Sequence, residues 1–316
     1  MSLTFPASLF FLSALYPSPI AQDSQPELAP KVAAEVLDLE LDRARRMTVP
    51  VSIGTTGPFS FVIDTGSERT VVSNELATDM ALELDEKANL ISVAGRSEVQ
   101  TVYVPELTLG IRTYNDLIAP TLKARNIGAD GILGLDSLQN QRILFDFVSN
   151  EITIEDVNKR PKYKSSNHEI VVVARRRSGQ LIFTDAYISG VKVNVIIDTG
   201  GQVTIGNRAL QRKLRRQKKM GDSETDIIAV TGQRISADIG WSKDFNIGKA
   251  NFSTIPIAYA DAPPFKKLGL SKRPALLLGM DILRKFDKMA IDFANRRVHF
   301  LLPKGAKRIH RPANSR

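Results

Sequence analysis

Cysteine is absent from the 316 residues, which removes disulfides, thiol nucleophiles and cysteine-ligated metals from the chemistry open to the chain. The absence leaves the redox compartment open. Histidine is nearly as scarce: His168, His299 and His310 lie far apart and carry no H-x-x-x-H spacing, so each reads as a surface or packing residue rather than a metal ligand. A Ser/His/Asp or Cys/His mechanism has little to work with. No metal or organic cofactor is expected. Lysine and arginine are missing from residues 1–21, which are mostly apolar around Leu9-Phe10-Phe11-Leu12. Two readings stand for this stretch, a secretory signal or uncleaved anchor and a disordered apolar leader. Pro6, Pro17 and Pro19 argue against a stable spanning helix. The first reading would make the protein secreted or periplasmic, in the cell envelope; the second would leave it cytoplasmic.

The charge is present in excess of one sign, +9 from 43 Lys and Arg against 34 Asp and Glu. Much of it is local. Arg212, Lys213, Arg215, Arg216, Lys218 and Lys219 form one run, Arg175 to Arg177 a second, and Lys304, Lys307, Arg308, Arg311 and Arg316 a tail. These runs read as solvated surface or as attraction to an anionic envelope surface or acidic substrate. No aromatic interleaving and no nucleic-acid module accompanies them, so nucleic acid is not an expected partner. The 43% hydrophobic content over this length suits a globular protein with ample core.

What the sequence does have is an internal repeat. Asp64-Thr65-Gly66 recurs as Asp198-Thr199-Gly200, each after an apolar run, Phe61-Val62-Ile63 and Val195-Ile196-Ile197, and each before a Thr at the same offset, Thr70 and Thr204. Further pieces recur in the same order. Val36 to Leu41 alternates as a half-buried strand, and Glu169 to Val173 takes its place in the second half. Val51-Ser52-Ile53-Gly54 answers Tyr187-Ile188-Ser189-Gly190, and Leu107 to Gly110 answers Phe245 to Gly248. Gly131 to Leu138 answers Leu276 to Leu283, an apolar strand running through Gly134 or Gly279 into a short helix. Leu144 to Ile154 and Ala290 to Phe300 each close a half on a hairpin.

Short strands separated by turns predict a mainly β fold, with helix only near Ser73 to Leu82, near Asn207 to Lys219 and after the two Gly-x-Asp segments. The division follows: 1–21 leader, 22–34 flexible lead-in, 35–156 first lobe, 157–167 linker, 168–303 second lobe, 304–316 basic tail. Two matched carboxylates imply one active site. Held about 3 Å apart, two carboxyl groups cannot both ionise and so share a proton. One can then take a proton from water while the other protonates a carbonyl oxygen, which is what hydrolysis of an amide requires. The pair titrates as a unit.

Phe61-Val62-Ile63-Asp64-Thr65-Gly66-Ser67, the Ala94-Gly95 turn and Ile132-Leu133-Gly134-Leu135-Asp136, each with a second-half counterpart, resemble the aspartic protease superfamily. The retropepsin-like branch is the nearest in look, here with two copies fused in one chain over residues 36 to 302. The resemblance implies a bilobal acid-protease fold of two β-barrel lobes related by a pseudo-two-fold axis. It implies an aspartic endopeptidase, with Asp64 and Asp198 catalytic and Thr65, Gly66, Ser67, Thr199 and Gly200 supporting the pair. Ala94, Gly95, Thr231 and Gly232 would form two flaps over a peptide or protein substrate, and one chain would be active as a monomer. The alternative is a catalytically inactive peptide-binding protein using the same cleft.

Departures from the family pattern refine this. The flap glycines follow their aspartates by 31 and 34 residues, and no Tyr lies between Asp64 and Tyr103 or between Asp198 and Tyr259. That favours two flaps over the single Tyr-bearing flap of pepsin-like enzymes. Ser67 after one triplet faces Gly201 after the other. A Ser67 hydroxyl donating to Asp64 would make it the more readily ionised partner, leaving the shared proton on Asp198. Asp136 and Asp281 read as helix caps, and Asp146 and Asp292 as structural residues of closing strands.

Overall fold

A computed structural model describes residues 35–38, 40–41, 47–138, 141–156, 169–215 and 223–303. The leader, the lead-in up to residue 34, the linker and the basic tail lie outside them. The first half contains β1 (Glu35–Asp38), β2 (Glu40–Leu41), β3 (Met47–Ile53), β4 (Thr56–Ile63), β5 (Val71–Ser73) and α1 (Asn74–Asp79). There follow β6 (Leu84–Ser92), β7 (Gly95–Leu109), β8 (Arg112–Leu122), α2 (Ala124–Ile127), β9 (Gly131–Leu133), α3 (Leu135–Leu138), β10 (Gln141–Asp146) and β11 (Glu151–Asp156). The second half opens with β12 (Glu169–Val173), β13 (Arg175–Arg177), β14 (Gln180–Ile188), β15 (Val191–Ile197), β16 (Ile205–Gly206) and α4 (Arg208–Arg215). It ends with β17 (Ser223–Ile228), β18 (Arg234–Ile247), β19 (Ala250–Tyr259), α5 (Pro263–Lys267), β20 (Ala275–Leu278), α6 (Met280–Leu283), β21 (Lys288–Asp292) and β22 (Arg297–Leu301).

The sheets repeat as the sequence does. One eight-stranded sheet has the order β2-β3-β4-β9-β5-β8-β7-β6, and the other β13-β14-β15-β20-β16-β19-β18-β17, with the extra pairings β3–β7 and β14–β18 curling each into a lobe. The strand patterns explain the layers. In β3, Met47, Val49, Val51 and Ile53 are all buried, the period-two set of a strand with one face on the core. The runs before each aspartate differ: Phe61, Val62 and Ile63 are all fully buried, as are Val195 and Ile196. Such strands are covered on both faces, and accordingly β4 pairs in parallel with β9 and β15 with β20.

A third, six-stranded sheet, β1-β11-β10-β21-β22-β12, joins the halves. Its centre is the antiparallel pair β10–β21, where Arg142 faces Asp292 and Asp146 faces Lys288. Both facing pairs are ion pairs, Arg142 to Asp292 at 2.9 Å and Lys288 to Asp146. That reciprocity is the signature of a self-complementary two-fold interface, here closed inside one chain. Ile143, Phe145, Met289, Ile291 and Phe300 from this sheet belong to one buried cluster with residues of both lobes. The core is therefore continuous below the lobes.

Some expectations need correction. Val36 to Leu41 is two strands, not one: β1 joins the six-stranded sheet and β2 a lobe sheet. α1 is shorter than its sequence window, the window around α4 runs past the described residues, and α2 and α5 had no sequence signal. Both are single turns, of four and five residues, too short for an amphipathic period to show. Of the basic runs, Arg215 on α4 pairs with Asp238, which also takes Arg208, while Arg175 to Arg177 form the exposed edge strand β13.

Candidate active site

The two aspartates leave their strands at equivalent points. Asp64 N–H donates to Leu133 O at 3.0 Å and Asp198 N–H to Leu278 O at 3.0 Å, so each residue is the last rung of a parallel ladder before the chain turns. The turns then lock together. Thr65 N–H donates to Thr199 Oγ1 at 3.0 Å, and Thr199 N–H to Thr65 Oγ1 at 3.3 Å. Each hydroxyl is in turn a donor across the interface, Thr65 to Ile197 O at 2.9 Å and Thr199 to Ile63 O at 2.7 Å. Four reciprocal hydrogen bonds between residues 4% and 2% exposed thus tie the strand ends of one lobe to those of the other.

Glycine follows because of space. A Cβ on Gly200 would stand 2.2 Å from Asp64 Cγ, and one on Gly66 would stand 2.9 Å from Asp198 Oδ1 and 3.1 Å from Asp64 Oδ1. Each glycine is pressed against the other lobe's carboxylate. Two carboxylate oxygens, one from each lobe, therefore sit around a single point beside Gly66. Backbone amides orient them: Gly66 N–H and Ser67 N–H donate to Asp64 Oδ1 at 2.7 and 3.1 Å, and Gly201 N–H to Asp198 Oδ1 at 2.9 Å.

The Ser67 hydroxyl does not reach its aspartate. It donates to Arg69 O at 2.7 Å, and a hydroxyl has a single hydrogen to give. The expected bias of the shared proton towards Asp198 loses its physical basis, because the chain bends Ser67 back along its own loop. Asp136 and Asp281 are not N-cap residues, although Asp136 takes the Ser137 amide in the first turn of α3 at 2.9 Å. They lie inside α3 and α6, and Gly279 precedes α6 with no side-chain cap. Asp136 accepts from the Thr70 amide and hydroxyl at 2.9 and 2.7 Å, and Asp281 from the Thr204 hydroxyl at 2.7 Å. The same threonine oxygens accept from Gly134 N–H and Gly279 N–H. A Cβ on Gly134 would lie 2.3 Å from Arg69 C, and one on Gly279 2.6 Å from Val203 O. The Gly-x-Asp elements thus buttress the aspartate loops from behind. Burial pushes the Asp281 carboxyl up, with the Thr204 hydrogen bond opposing.

Two hairpins, β6–β7 and β17–β18, hold Ala94-Gly95 and Thr231-Gly232 at their tips. Gly232 adopts φ +82, a left-handed turn that favours glycine, closed by Gly232 N–H to Ala229 O at 2.8 Å. The tips touch. Gln233 Nε2 donates to Arg96 O at 3.2 Å, the Thr231 hydroxyl lies 3.4 Å from that of Ser92, and a Cβ on Gly95 would meet Gln233 Oε1 at 2.9 Å. They also exchange partners. Val93 packs on a second-lobe cluster containing Ile227 and Phe265, and Val230 on a first-lobe cluster of Val71, Leu122, Ile127 and Ile132. A cavity of about 680 Å³ opens beside the second tip, lined by Lys123, Arg125 and Asn126 on one side and Gln233 and Arg234 on the other. Neither aspartate lines it.

Two cross-lobe contacts at the site had no sequence signal. Lys267 pairs with Glu68 at 2.6 Å, and Gln180 Nε2 donates to Gly66 O at 2.6 Å. Neither residue has a counterpart in the repeated motifs, the only marker by which the sequence could single out a residue.

Two mainly β lobes of one strand order, joined by a two-fold sheet and meeting at paired Asp-Thr-Gly turns, define the bilobal acid-protease class. The aspartyl protease family model matches residues 49–137 and 184–282, more than half of the chain. The chain belongs to the aspartyl protease family, as two retropepsin-like repeats. No curated protein matches it. Membership supports a protease function in the broad sense, with peptides as the substrate class.

Proposed function

We propose that the protein is an aspartic endopeptidase in which Asp64 and Asp198 activate a water against a peptide carbonyl. The observation that carries the reading is the reciprocal packing of each triplet's glycine against the opposite aspartate, under the four-bond threonine lock. Two carboxyl groups gathered at one point share a proton, because ionising both is penalised by like-charge repulsion. The ionised carboxylate takes a proton as the water oxygen bonds to the carbonyl carbon, and the protonated partner gives its proton to the carbonyl oxygen. In the resulting diol the carbon–nitrogen bond breaks. The amine leaves with the proton taken from water, one hydroxyl returns its proton to the second carboxylate, and the acid product forms. The Asp64 and Asp198 carboxylates need no reorientation in this cycle, since backbone amides already hold them.

The hairpins Ser92 to Gly95 and Ala229 to Gln233 are the flaps of this reading, and an extended peptide lies between them and the two aspartates. Since one chain supplies both aspartates, it works as a monomer. The test is cleavage of denatured protein or a peptide library at acidic pH by wild type, Asp64→Asn and Asp198→Asn. Wild-type cleavage abolished by either substitution supports the proposal. Peptide binding without cleavage by the wild type would instead make the protein a binding module.

A further inference from the structure

We propose that Gln180 reads the bound peptide, its Oε1 accepting a hydrogen bond from a substrate N–H beside the aspartate loop. The proposal rests on the peptide-cleft reading above. Gln180 opens β14 in the second lobe, after the turn Ser178-Gly179, and that turn lies against the first lobe: a Cβ on Gly179 would sit 3.2 Å from Leu135 Cδ1. The side chain crosses between the lobes. Its Nε2 donates to Gly66 O at 2.6 Å, and Gly66 N–H in turn donates to Asp64 Oδ1. A carbonyl oxygen only accepts, so this bond fixes which end of the amide faces the loop. The other end is then an acceptor. Gln180 is 7% exposed, and its Oε1 is buried with no hydrogen-bond partner among the described residues.

A buried amide oxygen left unpaired is costly, and native chains keep few of them. A lysine or arginine could donate to Gly66 O without carrying an acceptor to strand, so the donor bond alone does not call for an amide. The oxygen is explained if a donor arrives with the substrate. An extended peptide presents an N–H at every second position along each edge, and strand-like recognition uses those groups. Gln180 lies before the second region matched by the family, 184–282, so the family match does not account for it. The chemistry required is one N–H donor, from either the peptide main chain or a donor-bearing side chain.

The experiment is an enzyme–substrate mutant cycle. Wild type and Gln180→Met are assayed on a cleaved fluorogenic peptide, on versions N-methylated at single amides, and on versions with single side chains cut to alanine. Expected is one peptide change that raises KM on the order of tenfold with wild type and has little further effect with Q180M. An N-methyl position identifies the main chain as donor, an alanine position the side chain. Loss of the same factor on every peptide, with a lowered Tm, would make Gln180 a lobe brace and overturn the proposal.

Gln180→Glu supplies a second readout. A protonated carboxyl can donate to Gly66 O and still accept, so coupling should survive in acid; the ionised carboxylate, an acceptor only, is repelled by Gly66 O and loses that placement, so coupling should weaken as the group ionises. Its absence at every pH counts against the proposal, and this variant decides the matter where Q180M does not fold. Should the wild type cleave nothing, the same cycle is run by calorimetry with a hydroxyl-bearing peptide isostere. Coupling there upholds Gln180 although hydrolysis fails, and no binding of any extended peptide overturns both.

Discussion

Thr199→Val is the substitution that most directly tests the joining of the two lobes. Valine keeps the shape and removes one oxygen. At a position 2% exposed, that oxygen donates to Ile63 O at 2.7 Å and accepts from Thr65 N–H at 3.0 Å. The substitution leaves two buried backbone groups short of a partner, at about 1–3 kcal/mol each, so the folded state should lose about 2–5 kcal/mol. At roughly 2–4 °C per kcal/mol for a chain of this size, Tm should fall on the order of 5–15 °C. Thr199→Ser keeps both bonds and loses a methyl group, costing about 1 kcal/mol. Thermal unfolding of wild type, T199V, T199S, T65V and the double variant measures this, and T65V/T199V should cost less than the sum of its parts because the bonds share one geometry. Activity of T199V should fall further than its stability explains, since a misplacement of 1 Å at reacting groups can cost about a hundredfold. A T199V protein as stable as wild type, or T199S as damaged as T199V, would refute the reasoning.

Gly200→Ala should abolish cleavage while the protein stays folded, since its Cβ would fall 2.2 Å from Asp64 Cγ; activity and circular dichroism read this, and an active G200A would overturn the packing argument. Ser67→Ala should leave the acidic limb of the pH-rate profile where it is, because the hydroxyl is spent on Arg69 O. At Asp292 burial alone would raise the carboxyl, but hydrogen bonds from Asn295 and the Arg142 guanidinium win and hold it below the usual range. At Asp146 burial is likewise outweighed, by Lys288 and Ser149. Folded values below unfolded ones mean stability that is full above about pH 4 and lost as pH falls through the depressed values. Asp292→Asn should therefore cost about 2 kcal/mol near neutral pH, by removing one of the two buried carboxylates on Arg142 and leaving Glu155 at 3.3 Å as the other. It should also flatten the loss below about pH 4, read by urea unfolding across pH. Val230→Asp should free the tip of the β17–β18 hairpin from Leu122 and Ile132, increasing proteolytic nicking near Ala229 to Gln233 in the free protein.

The repeat made the aspartates, their threonines and the buttressing Gly-x-Asp elements legible, because duplicated sequence marks each with a partner at the same offset. Local chemistry was less legible. Ser67 carried the right group for bonding Asp64, but the direction of a hydroxyl depends on the path of the loop. Asp136 sat where a cap belongs and does take the Ser137 amide, but its amide and hydroxyl donors from Thr70, 66 residues earlier, carried no local signal. Val36 to Leu41 alternated like one strand, and alternation carries no mark of the change of sheet between β1 and β2.

Composition and patterning alone therefore determined a mainly β protein, two copies of one lobe, and two carboxylates meant for one place. Each of those follows from period-two burial and from offsets along the chain. Tertiary structure alone decided what faces what. The lobes meet through Arg142 with Asp292 and Asp146 with Lys288, Val93 and Val230 at the hairpin tips pack on opposite lobes, and Gln180 reaches the loop of Asp64. Those contacts join residues of different halves, mostly more than a hundred positions apart in sequence. Only closure of the two-fold arrangement brings such residues within hydrogen-bonding distance.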